Sequence, residues 1–597
     1  MSMSFEQIAL ALPAVNSTRS KPTVFDVSKC KGQTLIAYGS GLNVVVHSDL
    51  KTIIYKEHKS PVTCVKIAPN GYYAASGDSS GVLQVFDLVG DENVTTLSRK
   101  VLSGSIHDIC WDGDSQRASI GAISGHGAPI LSCDFRKKRP FRVVTSGEDG
   151  LANIYKGPPF SFLNQFSLGA YVNSIKYDPS GSVVACSGSN KQIAFMDGTT
   201  GSLLFSSLLP HASPVYSITW EKFDEKTRQG VFWTCSSDKT VKKFTVSLPQ
   251  NEGETGSLDC VSDLDLTMGI NSIEEQVLGV CYHDGYLYAA NYSGDLFKIS
   301  CESLEIKRVV SGHYSTVTSI AVQSNLIASS GNDGSIAFWS FEDHKFKTLG
   351  RASRPTDSKV SALSFVDNSL CIAGHGPNLR CVSMSPFEEC SVLDLSKFAN
   401  ISTEFSVEDA VFRDDVVFYV TDNRVVYAKG EETLCSIPVR GGRSIAVNRD
   451  ASLVAVGTTS GKVHIYTIET NSFVESGSVQ MTAEVTTLKF SCDNLLACGD
   501  ASRKIHIFEK KDSWVVRNNQ FVFHMGRVNC LDWSPNGQFI VSGGLDGTIF
   551  RWNLEAPMAR IKTLNAHKMG VTSLVFISND EVISGGGDGL LRYWKIV

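Results

Sequence analysis

Long apolar runs are missing from this sequence of 597 residues. Nowhere do about eighteen apolar residues follow one another, so no helix that spans a bilayer is expected. An excess of one charge is missing too. Lys and Arg total 55 against 61 acids, a formal charge of −6, and without a global basic field neither a nucleic acid nor a membrane surface is an expected partner. There is no C-x-x-C pair and no H-E-x-x-H, so zinc spacing and a redox motif are excluded, and no metal or cofactor is expected. The 16 cysteines are scattered, as at Cys64, Cys110, Cys186, Cys235 and Cys530, and many fall inside apolar strand patterns. They read as small core residues of a reducing compartment. The opening "MSMSFEQIALALPAVN" has only a five-residue apolar run and no basic start, which excludes an ordinary signal peptide and points to the cytoplasm.

Alternating strands, by contrast, are abundant. "VTCVKIA" (62–68), "VNSIKYD" (172–178), "VYSITWE" (215–221), "VNCLDWS" (528–534) and "VTSLVFI" (571–577) share one phase. Each precedes a turn, a second strand, and then a glycine-rich turn into a third. The glycine turn recurs as "TSGEDGLANIY" (145–155), "SSGNDGSIAFW" (329–339), "SGGLDGTIFRW" (542–552) and "SGGGDGLLRYW" (584–594). A strand rather than a helix follows the glycines, so they are expected to supply positive φ to a hairpin and not to cradle a phosphate. Weaker copies at "SGDSSGVLQVF" and "GTTSGKVHIY" put Ser80 and Ser460 in the place of the acid, with Phe86 and Tyr466 in the aromatic place. Repetition at fixed spacing is the mark of an array. About fourteen units of about 43 residues predict an all-β chain of two tandem seven-bladed WD-repeat β-propellers.

Several copies carry a histidine about twenty residues upstream of the acid. The sets are His313, Ser329, Asp333 and Trp339; His524, Ser542, Asp546 and Trp552; His567, Ser584, Asp588 and Trp594; His211 precedes Asp238 at a longer distance. One such set has the composition of a hydrolase triad. An enzyme needs one nucleophile, whereas the set is repeated, so the reading favours a buried relay: Asp accepts from His, His engages the strand hydroxyl, and the hydroxyl meets the Trp.

The last unit stops after its third strand, so its outer strand has to come from elsewhere. "FEQIALAL" (5–12) is expected to supply it, with residues 1–22 as closing strand plus linker, a first propeller over 23–303 and a second over 304–597. The alternative closes the first ring with the N-terminal strand and gives "LEIKRVV" (304–310) to the last blade.

"EHKSPVTCVKIAPNGYYAASGDSSGVLQVFD" (57–87), "RPFRVVTSGEDGLANIYKGPPFSF" (139–162) and "LNAHKMGVTSLVF" (564–576) resemble the actin-interacting protein 1 family, with "GPPF" at 157–160 the most specific part. The resemblance covers nearly the whole chain. It implies a non-catalytic, monomeric protein of the actin cytoskeleton, with actin filaments and cofilin as partners, that promotes severing and disassembly and restrains barbed-end growth. It also implies that Glu148, in the turn before "GPPF", Phe162 after it, and Tyr171 ahead of the next strand contact actin or cofilin, with Phe160 a further candidate. Asp149 is assigned to the turn relay. The basic run Arg136, Lys137, Lys138 and Arg139, continued at Arg142, offers a surface for acidic partners. The chain departs from the family in its third unit, where a "GEGRE"-like loop is replaced by "IGAISGHGAPILSCD" (120–134). A generic propeller scaffold for another complex is the competing reading.

Overall fold

The computed structural model describes residues 3–16, 25–89, 93–112, 125–250, 254–267, 273–343, 345–352, 359–366, 369–374, 378–383, 399–402, 406–413, 416–429, 432–469 and 472–597. They form thirteen four-stranded antiparallel sheets and one 3₁₀ turn at Ile273–Glu275. The chain divides into two compact units, Ala14–Val310 and Met1–Pro13 with Ser311–Val597. Each is a WD-repeat β-propeller.

Burial explains the strand patterns. Second strands lie between neighbouring blades and are apolar or small throughout, as in Val183–Gly188, which is buried at every residue. Outer strands face solvent and alternate, as in Ser161–Ser167. Blades approach so closely that a Cβ on Gly543 would lie 2.5 Å from Val571 Cγ1, and one on Gly585 2.6 Å from Val317 Cγ1. Inner strands are pegged to one another by a polar side chain that accepts from the backbone of the next strand: Asp26 from Ile67 (2.9 Å), Asp134 from Tyr177 (2.8 Å), Asp409 from Ile445 (3.0 Å) and Asp532 from Phe576 (2.8 Å).

The C-terminal unit has seven sheets, and its last inner strand, Val571–Ser578, packs on the first, Val317–Gln323, where Thr572 Oγ1 donates to Val317 O at 2.6 Å. The last sheet takes its outer strand from Phe5–Ala11, which runs antiparallel to Leu591–Ile596 from Phe5 opposite Ile596 to Ala11 opposite Leu591, with a bulge between Gln7 and Ala9. Phe5 meets Trp594 edge to face at 6.3 Å.

The division between the units falls at Val310/Ser311 and not at 303/304, because Ile306–Val310 is the outer strand on Leu296–Ser300 and completes the first unit. Of the expected linker, Ala14–Asn16 already belong to that unit, with Val15 N donating to Gly294 O and Asn16 N to Gly39 O. Residues 17–22 lie outside the described residues.

Among the described residues the first unit has six complete sheets and a seventh position occupied differently. Between the strands Thr95–Lys100 and Ile130–Phe135, residues 106–111 take the place of an inner strand. Asp108 accepts from Cys133 N at 3.0 Å, as the other pegs do, and Trp111 Nε1 reaches back to Lys66 O at 3.2 Å, as Trp220 does to Lys176 O and Trp533 to Lys489 O. Residues 113–124, which follow this segment, lie outside the described residues. Of the stretch 120–134, residues 120–124 lie outside the described residues and Ile130–Phe135 does not belong to a loop of the third unit but opens the next sheet.

The glycines of "SGGGDG" have different causes. Gly589 does sit at φ +73, as Gly150, Gly334 and Gly547 do at the same place in their turns. Gly586 instead makes room for a side chain, since a Cβ there would lie 2.3 Å from His567 Cγ.

Candidate functional site

Two sets of side chains carry the chemistry. The first is the histidine relay beneath the turns. His524 bonds Asp546 at 3.2 Å through Nδ1 and Ser542 Oγ at 2.8 Å through Nε2, and Trp552 Nε1 donates to the same hydroxyl at 2.8 Å. His567, Asp588, Ser584 and Trp594 repeat this with 2.8, 2.7 and 2.7 Å. The indole N–H has only a proton to give, so the serine accepts it and passes its own proton to Nε2, which leaves Nδ1–H to donate to the carboxylate. His211, Asp238 and Thr234 form a version without the Trp.

At His313 the expected arrangement is altered. Nε2 bonds Ser329 Oγ at 2.7 Å, but Arg351 pairs with Asp333 at 3.1 Å and the hydroxyl of Ser335 lies between acid and imidazole, whose atoms are 3.7 Å apart. Trp339 Nε1 is buried without a hydrogen-bond partner, so the Trp does not join this relay.

Two relays escaped the sequence reading. His126 bonds Asp149 at 2.9 Å and Thr145 at 2.8 Å, which engages Asp149 as expected and uses a histidine from the replaced loop. His58 bonds Asp78 at 2.9 Å and Ser76 at 2.7 Å. The copy with Ser80 thus keeps its acid, two residues earlier. In the copies with Asp149, Asp333, Asp546 and Asp588 a glycine stands there, because a Cβ on Gly544 would lie 2.6 Å from His524 Nδ1 and one on Gly331 2.2 Å from Asp333 Oδ1. Asp78 places its own carboxylate in that space, and Ser80 Oγ donates to it at 2.7 Å. The signal was an exchange of Gly-x-Asp for Asp-x-Ser, repeated at Asp500 and Ser502.

Burial alone raises the pKa of Asp546, but the hydrogen bond from His524 and those from the amides of Met525 and Thr548 outweigh it and bring it down to about 2. A lowered folded-state pKa gives stability that is complete above the unfolded value of about 4 and is lost as pH falls from there toward 2. Ser542→Ala leaves the Trp552 N–H without an acceptor and His524 Nε2 without a donor, and is expected to cost about 1–3 kcal/mol, read as a lower melting temperature.

The second set is the candidate contact surface on the sheet Ile130–Ser167. Its turns alternate between two ends. Glu148 lies in the turn before Leu151–Lys156, and Tyr171, 55% exposed, follows the outer strand at the same end. Phe160, Phe162 and the basic run lie at the other, about 20 Å away along a six-residue strand. The structure therefore does not bring Glu148 and Phe162 together. Phe162 is 49% exposed and stands edge-on to Tyr155. Phe160 is turned inward, edge to face on buried Phe135 at 6.1 Å, and Gly157 makes room for it: a Cβ there would lie 2.6 Å from the ring.

The basic run also divides. Arg136 is buried, with Nε on Gly181 O at 2.7 Å and Nη1 on Pro140 O at 2.9 Å, so it holds turns together and offers no surface charge. Lys138 pairs with Glu225, whose carboxyl this bond draws down to about 2. Arg139 lies over the ring of Phe141 at 5.7 Å. Lys137 remains exposed and borders a cavity of ≈ 340 Å³ at the same end, which Lys176, Glu221, His283 and Asp284 also line.

The family model "WD domain, G-beta repeat" matches residues 49–87, 304–340, 517–553 and 558–595. Each window begins on or next to the outer strand of one sheet and ends on the third strand of the next, which is why the last repeat needs a strand from elsewhere. The chain is 30% identical to the "66 kDa stress protein" of Physarum polycephalum over 100% of both chains. It is 28% identical to "Actin-interacting protein 1" of Drosophila melanogaster, over 97% of this chain and 96% of that one, and 28% identical to "WD repeat-containing protein 1" of Gallus gallus, over 100% and 99%. The chain belongs to the actin-interacting protein 1 family. Among the described residues of this family member no group of three or more His, Cys, Asp or Glu is arranged to hold a metal, and no helix is long and apolar enough to cross a membrane.

Proposed function

We propose that this chain binds actin filaments in the cytoplasm, acts with cofilin to promote their severing and disassembly, and restrains barbed-end growth, all without a chemical step. The observation that carries this reading is its similarity over 97% of its length to a protein named for interacting with actin. A ligand that prefers the cofilin-strained filament over the relaxed one shifts that equilibrium by its differential affinity, so binding alone suffices. The relay supports the absence of chemistry: Ser584 is fully buried and shared between His567 and Trp594, where no substrate reaches it.

Phe162, Tyr171 and Glu148 are the proposed contacts, with Lys137, Lys138 and Arg139 beside Phe162. Because they occupy two ends of one sheet, Phe162 and Tyr171 address different partner surfaces. The test is sedimentation with actin filaments, with and without cofilin. Phe162→Ala is expected to weaken cofilin-dependent actin release by about 2 kcal/mol, roughly thirtyfold, with an unchanged melting curve. No filament association under either condition would sink the proposal in favour of a scaffold for another complex.

A further inference from the structure

Among the exposed apolar side chains of the C-terminal unit, three lie close together: Met525 at 78%, Leu545 at 55% and Met569 at 60%. They come from successive loops that converge. Leu545 lies between the other two, since a Cβ on Gly526 would be 3.2 Å from Leu545 Cβ and one on Gly570 3.3 Å from Leu545 Cδ1. A Cβ on Gly587 would be 2.8 Å from Met569 Cβ. Glycines thus form the floor and the three side chains rise from it. The backbone beneath is held: Met525 N donates to Asp546 at 2.6 Å, Lys568 N to Asp588 at 3.2 Å, and Leu545 N to Arg527 O at 2.9 Å.

The charge around the patch has one sign. The loops 522–527, 544–548, 564–570 and 586–589 contain two acids, Asp546 and Asp588, and both are engaged beneath the surface by His524 and His567. Their cations are Arg527, exposed beside Met525, and Lys568, next to Met569. An exposed cluster of flexible thioethers and a leucine adapts to apolar anchors of varied shape. A positive rim selects partners that carry negative charge.

We propose that this surface is a docking site for an acidic protein segment with apolar side chains at helical spacing, whose anchors lie on Met525, Leu545 and Met569 and whose carboxylates face the exposed Arg527. The site is in a different unit from the proposed actin contacts and does not depend on them.

The experiment uses the full chain and three short fluorescent peptides: one with glutamates and leucines at helical spacing, one with lysines for the glutamates, and one with serines for the leucines. Anisotropy is expected to show binding of the first peptide only. The triple variant Met525→Ser, Leu545→Asn, Met569→Asn is expected to weaken it at least about tenfold, and Arg527→Glu by a similar factor with a gain for the lysine peptide. Asparagine suits position 545 because Asn332 fills the same place in the turn Gly331–Gly334, and it tolerates the φ of +65 at 569. If the triple variant unfolds, Arg527→Glu decides alone. Equal binding of the glutamate and lysine peptides, or binding that ignores Arg527→Glu, overturns the proposal. So does self-association in sedimentation velocity that the triple variant abolishes and the glutamate peptide does not displace, which would assign the patch to a second copy of this chain.

Discussion

Gly586→Ala is expected to destabilise the C-terminal unit by about 3 kcal/mol or more, through overpacking against a group that has nowhere to go. The added methyl would lie 2.3 Å from His567 Cγ and Nδ1 and 2.4 Å from its Cβ. His567 is 2% exposed and held at both ring nitrogens, by Asp588 at 2.8 Å and Ser584 at 2.7 Å. Moving it breaks the relay and leaves Trp594 and Asp588 buried with poorer partners, so the steric and the polar penalties add. Gly285→Ala is the control. Gly285 has φ +82 but nothing within 4 Å of a new Cβ, so only backbone strain of about 1 kcal/mol is expected. Scanning calorimetry of the full chain separates the two: the transition of the C-terminal unit falls steeply for Gly586→Ala, and that of the unit Ala14–Val310, which carries Gly285, falls little for Gly285→Ala. Equal shifts would mean that the glycine is there for its backbone and not for the histidine.

Deletion of residues 1–12 is expected to have the other large effect. It removes the strand Phe5–Ala11 from the last sheet, uncovers the edge Leu591–Ile596, and exposes Trp594, Leu591 and Tyr593, which are packed in the intact ring. An unpaired strand edge with apolar neighbours templates association. The truncated chain should scatter light on mild warming and elute early from a sizing column. A synthetic peptide of residues 3–12 added during refolding should restore the monomer by strand addition. A truncated chain that elutes and melts like the full one would show that the closing strand contributes little.

Much of the architecture was legible because two periods coexist in the sequence. The alternation of "VNCLDW" and its relatives sets inner strands, and the spacing of the Asp-Gly turns sets the repeat. Ring closure followed from a last repeat that stops on its third strand. The exact division at Val310 was not legible, because "LEIKRVV" reads equally well as the end of one sheet or the start of the next, and only its pairing with Leu296–Ser300 decides. The site was less visible. The His58 relay was hidden by the exchange of glycine and aspartate between positions 78 and 80, a change that keeps the carboxylate in place while altering the pattern. Arg136 was read as surface charge because composition does not reveal that its guanidinium satisfies two turn carbonyls. The separation of Glu148 from Phe162 was legible in principle: one strand lies between them, and crossing one strand changes the end of the blade.

The clasp between the first and last strands also bears on how the protein is made. The strand Phe5–Ala11 leaves the ribosome before any of the sheet that it completes, and Gln7 waits for Arg592, 585 residues later, before their 2.7 Å bond can form. The C-terminal propeller is thus the last part of the nascent chain able to close, while Ala14–Val310 has all its strands hundreds of residues earlier. Contacts this distant in sequence form slowly. During that interval the half-buried strand Phe5–Ala11 has no edge to pair with, and an unpaired apolar strand is open to misassociation.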